Sequence, residues 1–116
     1  MIRKERTTMV LIRAIIREEK TGEVLTELLN AGFPAVTQIS VSGRGKQKGL
    51  QVGGIYYEKI PKTMLLIIVE DDDKDDVIKI IMRTARTGVK GNFGDGRIFV
   101  SKVDEGYTIS NQNKDF

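Results

Sequence analysis

The sequence contains no cysteine and no histidine. Without thiols there is neither a disulfide framework nor a thiolate metal site. Without imidazole the commonest general base and the commonest zinc ligand are gone, which counts against hydrolase triads and zinc chemistry. Prolines number only two, and no run approaches the roughly 20 apolar residues of a membrane span. What is present is 116 residues, 40% hydrophobic and 30% charged, the balance of one globular domain spanning 1–116. The net charge of +3 is mild and argues for nucleic acid only where cations cluster. The N-terminal stretch "MIRKERTTMVLIRAII" has the basic-then-apolar order of a secretory signal. Arg13 and Arg17 interrupt the apolar run, however, and no small-residue cleavage site follows. A cytoplasmic protein without membrane insertion is expected.

Periodicity divides the chain into two halves. Thr8 to Ile16 is β-branched and aliphatic, a buried strand. Thr21 to Ala31 places Val24, Leu25, Leu28 and Leu29 on one helical stripe, with Gly32 as its C-terminal cap. Thr37, Ile39 and Val41 alternate with Gln38, Ser40 and Ser42, a strand with one wet face. A glycine-rich segment follows, "SGRGKQKGL" from Ser42 to Leu50. Lys62 to Val69, "KTMLLIIV", reads as a central strand. Asp72, Asp73, Asp75 and Asp76 precede or open a second helix with apolar positions Val77, Ile78, Ile81 and Ala85, and acids suit that positive helix end. The helix stops near Gly88. A second glycine-rich loop, Gly91 to Arg97, feeds a short strand from Ile98 to Val100. The order predicts an α+β, ferredoxin-like βαββαβ fold, with two helices on one face of an antiparallel sheet. An apolar face left without cover would favour oligomerisation.

The run "DDDKDD" suggests a calcium loop, but an EF-hand would need glycine at Asp76 and glutamate at Met82. It reads as a solvated helix start. The two glycine loops carry more. Glycines let backbone N–H groups line a concavity, and such a nest binds phosphate when cations flank it. Neither loop has the dinucleotide fingerprint or the ending of a P-loop, so each alone also fits a flexible turn. Lys62, after Pro61, brings another cation to the base of the first loop, or is simply a solvated strand end. RNA recognition by a sheet of this order needs stacked aromatics, and the central strand here is aliphatic.

Taken in order, "RAIIR" (13–17), "GRGKQKGL" (43–50), "PK" (61–62), "ARTG" (85–88) and "GDGRIFV" (94–100) make the sequence resemble the PII family of nitrogen-regulatory signalling proteins, from about Met9 to Ile109. The resemblance implies a ferredoxin-like homotrimer that senses effectors and is not an enzyme. It binds ATP or ADP in clefts between subunits and, with Mg and ATP, 2-oxoglutarate at the base of a mobile loop. By position, Ile15, Thr37, Gly43, Gly45, Lys46, Gln47, Ile68, Thr87, Gly88, Gly94, Asp95, Gly96 and Arg97 match nucleotide-binding residues. Arg97 stands where the family usually has lysine and keeps its charge. Gln47, Lys48, Gly49 and Lys62 match the 2-oxoglutarate site, with Gln47 helping to hold the metal and Lys62 pairing with a carboxylate.

The mobile loop, about 45–61, lacks the usual "YRGAEY" motif. Its "IYYEKIPK" stretch (55–62) is similar instead to the nitrogenase-associated branch, the first of two NifI-type paralogues. That implies nitrogenase as target, contacted through Leu50, Ile55, Tyr56 and Tyr57, and a mixed oligomer with the second paralogue beside the homotrimer. Tyr56 and Tyr57 equally suit packing against the sheet. Two family arginines that contact phosphates correspond to Thr108 and Ser110, and "VKGNFGDG" carries extra residues before its glycine-aspartate-glycine. These departures leave a second expectation: an interaction adaptor with lost or altered nucleotide sensing, acting on another target such as an ammonium transporter or a nitrogen-assimilation enzyme. A flexible tail is expected over about 110–116.

Overall fold

The computed structural model describes residues 8–46 and 57–116. Strand β1 (Met9–Arg17) leads through a 3-10 turn (Glu18–Lys20) into helix α1 (Thr21–Asn30). Strands β2 (Thr37–Lys46) and β3 (Tyr57–Glu70) follow, then helix α2 (Asp71–Ala85) and strand β4 (Gly96–Val103). The sheet order is β2-β3-β1-β4, and every neighbouring pair is antiparallel. The ferredoxin-like βαββαβ expectation is met.

Alternation decides which way each strand residue points. Val10, Ile12, Ala14 and Ile16 of β1 are buried with Leu65 and Ile67 of β3 under the two helices. Val24 and Leu28 of α1 and Val77, Ile80, Ile81 and Ala85 of α2 complete that core. A fully buried Leu or Ile contributes roughly 1.5–3 kcal/mol. Among the described residues the two buried polar ones, Thr21 and Thr63, satisfy each other through a 2.8 Å hydroxyl–hydroxyl bond that ties the start of α1 to β3. The opposite face carries Leu11, Ile15, Ile39, Met64, Leu66 and Ile68, paired across the strands. Ile68 is 50% exposed, so among the described residues of one chain nothing covers this apolar face.

Several expectations change. Leu29, placed on the buried stripe of α1, is 59% exposed, whereas Ile80, not assigned to the stripe of α2, is buried. The stripe of each helix is narrower or rotated by a residue because only the sheet side of the helix is covered. β4 runs to Val103 rather than stopping at Val100, since β1 offers it a partner at every residue from Gly96 to Val103. The first glycine segment is not wholly loop. β2 continues through Gly43, Arg44, Gly45 and Lys46, opposite Ile60, Lys59, Glu58 and Tyr57, so the ladder takes in both ends of the expected 45–61 loop. Pro61 is tolerated in β3 because β1 pairing begins only at Lys62, leaving one side of the strand open there. The tail expected to be flexible forms a hairpin of strands β5 (Tyr107–Thr108) and β6 (Asn113–Lys114). Gly106 N–H donates to the Phe116 carbonyl at 3.0 Å and Asp115 N–H to the Gly106 carbonyl at 2.7 Å.

Candidate functional site

β4 can start where it does because residue 96 has no side chain. Gly96 sits at φ 122°, and a Cβ there would lie 1.9 Å from the Ile15 carbonyl oxygen. The loop from α2 thus presses its backbone directly onto the end of β1. Gly88, Gly91 and Gly94 also take positive φ, a conformation that strains other residues.

At the centre of this loop is Asp95, whose carboxylate accepts four hydrogen bonds. Oδ2 accepts the backbone N–H of Thr87 at 3.1 Å and of Asn92 at 2.8 Å. Oδ1 accepts the Thr87 hydroxyl at 2.5 Å and Arg17 Nε at 3.1 Å. A carboxylate offers about four acceptor directions, and here the protein fills them. Burial acts to raise its pKa, but the bonds from the Thr87 hydroxyl, the Asn92 and Thr87 amides and Arg17 outweigh it and hold the carboxyl well below the usual range.

Two cations grip the same loop by its carbonyls. Arg17 Nη2 donates to the Phe93 carbonyl at 2.7 Å, and Lys62 Nζ donates to the Gly94 carbonyl. Arg17 and Lys62 are register partners across β1 and β3. Burial, followed by the nearby Arg17 charge, lowers the Lys62 pKa, partly offset by Glu19 and Asp95. A Cβ on Gly94 would lie 3.3 Å from Arg17 Nη2 and 3.7 Å from Lys62 Nζ, so glycine keeps the space beside both cations open. That arrangement suits an anion with several oxygens, whether phosphate or carboxylate.

Of the sequence-predicted residues, the fold brings together Lys62, Thr87, Gly88, Gly94, Asp95 and Gly96. Gly43 joins them: a Cβ on it would stand 3.7 Å from Lys62 Cγ. Arg97 pairs with Ile15 on the face away from the helices, its guanidinium 5.9 Å from the centre of the Phe99 ring. Thr37 and Ile68 are not brought to the loop within one chain. They pair with Leu66 and Leu11, and Ile68, six residues along β3 from Lys62, is roughly 20 Å away. They do share the uncovered face with Ile15. Gly45, Lys46 and Tyr57 are paired strand residues. Gln47, Lys48, Gly49, Leu50, Ile55 and Tyr56 lie outside the described residues. Thr108 directs its hydroxyl to the Asp115 carboxylate.

Two contributors were missed, Arg17 and Asn92. Arg17 ends the "RAIIR" motif, but its partner is 78 residues away. Asn92 carries one local signal, its place among the glycines of "GNFG". A groove of about 1020 Å³ between α2 and β4, floored by Ile78, Ile81 and Ile98, meets the site only at Asp95, Gly96 and Arg97. Among the described residues, no group of three acidic side chains could hold a metal ion, and no helix is long and apolar enough to cross a membrane.

Residues 9–113 match the family described as Nitrogen regulatory protein P-II. The chain belongs to the P-II family. Among curated relatives, it is 50% identical over 106 residues to the "Nitrogen fixation nifHD region GlnB-like protein 1" of Methanobacterium ivanovii, covering 91% of this chain and 98% of that one. It is 52% identical over 101 residues to the protein of the same name from Methanococcus maripaludis, with 87% and 93% covered. A "GlnB-like protein 2" of Methanococcus maripaludis is 39% identical, covering 84% of this chain and 89% of that one. Among solved structures, the Bacillus subtilis GlnK–ATP complex superposes with a TM-score of 0.75 at 24% identity, over 92% of this chain and 94% of that one. The sheet order β2-β3-β1-β4 is thus that of a P-II fold.

Proposed function

We propose that this P-II chain is a nitrogen-regulatory signal protein that binds ATP or ADP and 2-oxoglutarate and controls a target protein, inhibiting nitrogenase when fixed nitrogen is plentiful. The observation that carries it is the glycine loop hydrogen-bonded around Asp95 and flanked by Lys62 and Arg17. The backbone of Gly94 and Gly96, with Thr87, Gly88 and Arg97, receives the phosphates, while Ile15, Thr37 and Ile68 receive the base on the uncovered face. Because Ile68 lies six residues along β3 from Lys62, roughly 20 Å away in one chain, the cleft is completed by a second copy in a homotrimer, which also covers the apolar sheet.

Gly43, Gly45, Lys46 and Gln47 close over the nucleotide from the β2 arm. Mg, held with ATP by Gln47, supplies charge neutralisation and a coordination point for 2-oxoglutarate. Lys62 pairs with a carboxylate of that effector, and Lys48 and Gly49 complete its site. Lys62 must leave the Gly94 carbonyl to do so. Leu50, Ile55, Tyr56 and Tyr57 contact the target. Effectors act by differential affinity for two arrangements of this loop. The relatives' nifHD-region names support nitrogenase as target, and their occurrence as proteins 1 and 2 supports a mixed oligomer with a second paralogue.

Calorimetric titration with ATP, with and without Mg and 2-oxoglutarate, tests the sensing role. Binding of ATP that is required for 2-oxoglutarate binding is expected; no heat and no thermal shift at millimolar ligand would sink it. Inhibition of purified nitrogenase by the chain with its paralogue, relieved by the effectors, tests the target. Thr108 and Ser110, in place of phosphate-contacting arginines, favour the second reading of an adaptor with altered sensing acting on an ammonium transporter or an assimilation enzyme. Capture of the target with equal strength in the absence of nucleotide would decide for it.

A further inference from the structure

We propose that Asn92, which lies in the extra segment before the glycine-aspartate-glycine, is a positioning residue: a clasp that builds the phosphate-facing loop before any nucleotide arrives. The proposal rests on the nucleotide-binding role given above and assigns that role's energetic source in this chain.

The geometry leaves little freedom. Asn92 Nδ2 donates to the Thr87 carbonyl at 3.1 Å and to the Thr87 hydroxyl at 2.9 Å. A carbonyl can only accept, so the amide must present its NH2 on this side. The Thr87 hydroxyl then accepts from Asn92 and spends its own proton on Asp95 Oδ1 at 2.5 Å. The Asn92 backbone N–H donates to the other carboxylate oxygen at 2.8 Å. Asn92, Thr87 and Asp95 thus form a closed ring of hydrogen bonds across a loop that holds glycines at 88, 91 and 94, all at positive φ. Gly88 is adapted to this: a Cβ on it would sit 3.2 Å from Asn92 Nδ2.

Glycine-rich backbone is costly to order. A loop ordered only on contact with a ligand would charge that cost against affinity, whereas one clasped in advance does not. Because all four acceptor directions of Asp95 are filled by protein donors, the clasp acts on a nucleotide through the loop amides and not by direct contact.

The test is calorimetric titration of ATP with Mg into the full chain and the variant N92A, each checked for its melting temperature. Binding by the wild-type chain and about tenfold weaker binding by N92A, a loss of roughly 1.4 kcal/mol, is the expected result. Faster amide exchange at Thr87 in N92A, with strand amides of β1 unchanged, would accompany it. Wild-type affinity in N92A would overturn the clasp and leave the proposed function standing. Absence of any binding by the wild-type chain would overturn both.

Discussion

Thr87 and Asp95 are joined twice, through the Thr87 backbone N–H to Oδ2 at 3.1 Å and through its hydroxyl to Oδ1 at 2.5 Å. The carboxylate thereby holds the residue just past α2 against the residue just before β4. With Arg17 on the same oxygen, one side chain ties a helix end, a strand end and the loop between them. The loop's shape is then a property of the folded chain, and its disruption has consequences that can be measured separately for stability and for ligand.

Asp95→Asn is expected to lower stability at neutral pH by about 1.5–3 kcal/mol, the range for hydrogen bonds to a charged group. The folded-state pKa of Asp95 is depressed, so its contribution is present above its ordinary value of 3.8 and is lost as pH falls through the lower folded value. Wild type and variant should therefore converge in acid. Urea unfolding of both proteins across the acid range measures this; a difference that persists unchanged in strong acid would remove the charge from the explanation.

Two glycines separate folding from ligand access. Gly96→Ala puts a Cβ 1.9 Å from the Ile15 carbonyl oxygen at φ 122°, so β4 cannot keep its register, and a loss of roughly 3 kcal/mol or more is expected. Gly43→Ala meets only ordinary contacts, at 3.7 and 3.8 Å, and its melting temperature should stay near that of wild type. If Gly43 admits the nucleotide, ATP affinity still falls, by about tenfold or roughly 1.4 kcal/mol. Thermal unfolding and titration of the two variants side by side check the contrast.

Lys62 supplies a pH dependence of opposite origin. Burial and Arg17 lower its pKa from the ordinary 10.5, so in the fold the charged form is disfavoured, a cost present at lower pH that fades as pH rises through the folded pKa. An anionic effector needs that charge. Affinity for 2-oxoglutarate with Mg and ATP should weaken on the alkaline side earlier than an unperturbed lysine would allow, and Lys62→Arg should remove the alkaline limb. Titrations at a series of alkaline pH values give the profile, and an identical limb in the arginine variant would exclude Lys62 as its source.

Leu65→Ala opens a cavity in β3 beneath both helices, where Leu65 is 0% exposed, and should cost about 2–5 kcal/mol. Leu29→Ala, at a position 59% exposed, should change stability by no more than about 0.5 kcal/mol. Denaturant midpoints of the two variants distinguish a one-sided α1 from the fuller stripe suggested by its spacing.

By itself the sequence determined the element order, the burial of β1 and the helix start at the aspartates. Those features depend on local periodicity and charge near a helix end, which neighbouring residues carry. The glycines at 88, 94 and 96, and the pairing of two glycine segments with "PK", were also legible there. The tertiary structure decided what those residues are for. Only the fold sets Arg17 beside Asp95 across 78 positions and Lys62 against the Gly94 carbonyl, and only it turns Asn92 from a loop residue into the lock on Thr87. It likewise extended β2 and β3 beyond the expected ends of the loop and folded the tail into a hairpin. Backbone partners from another part of the chain made those choices, and no local pattern in the sequence encodes where such partners will be.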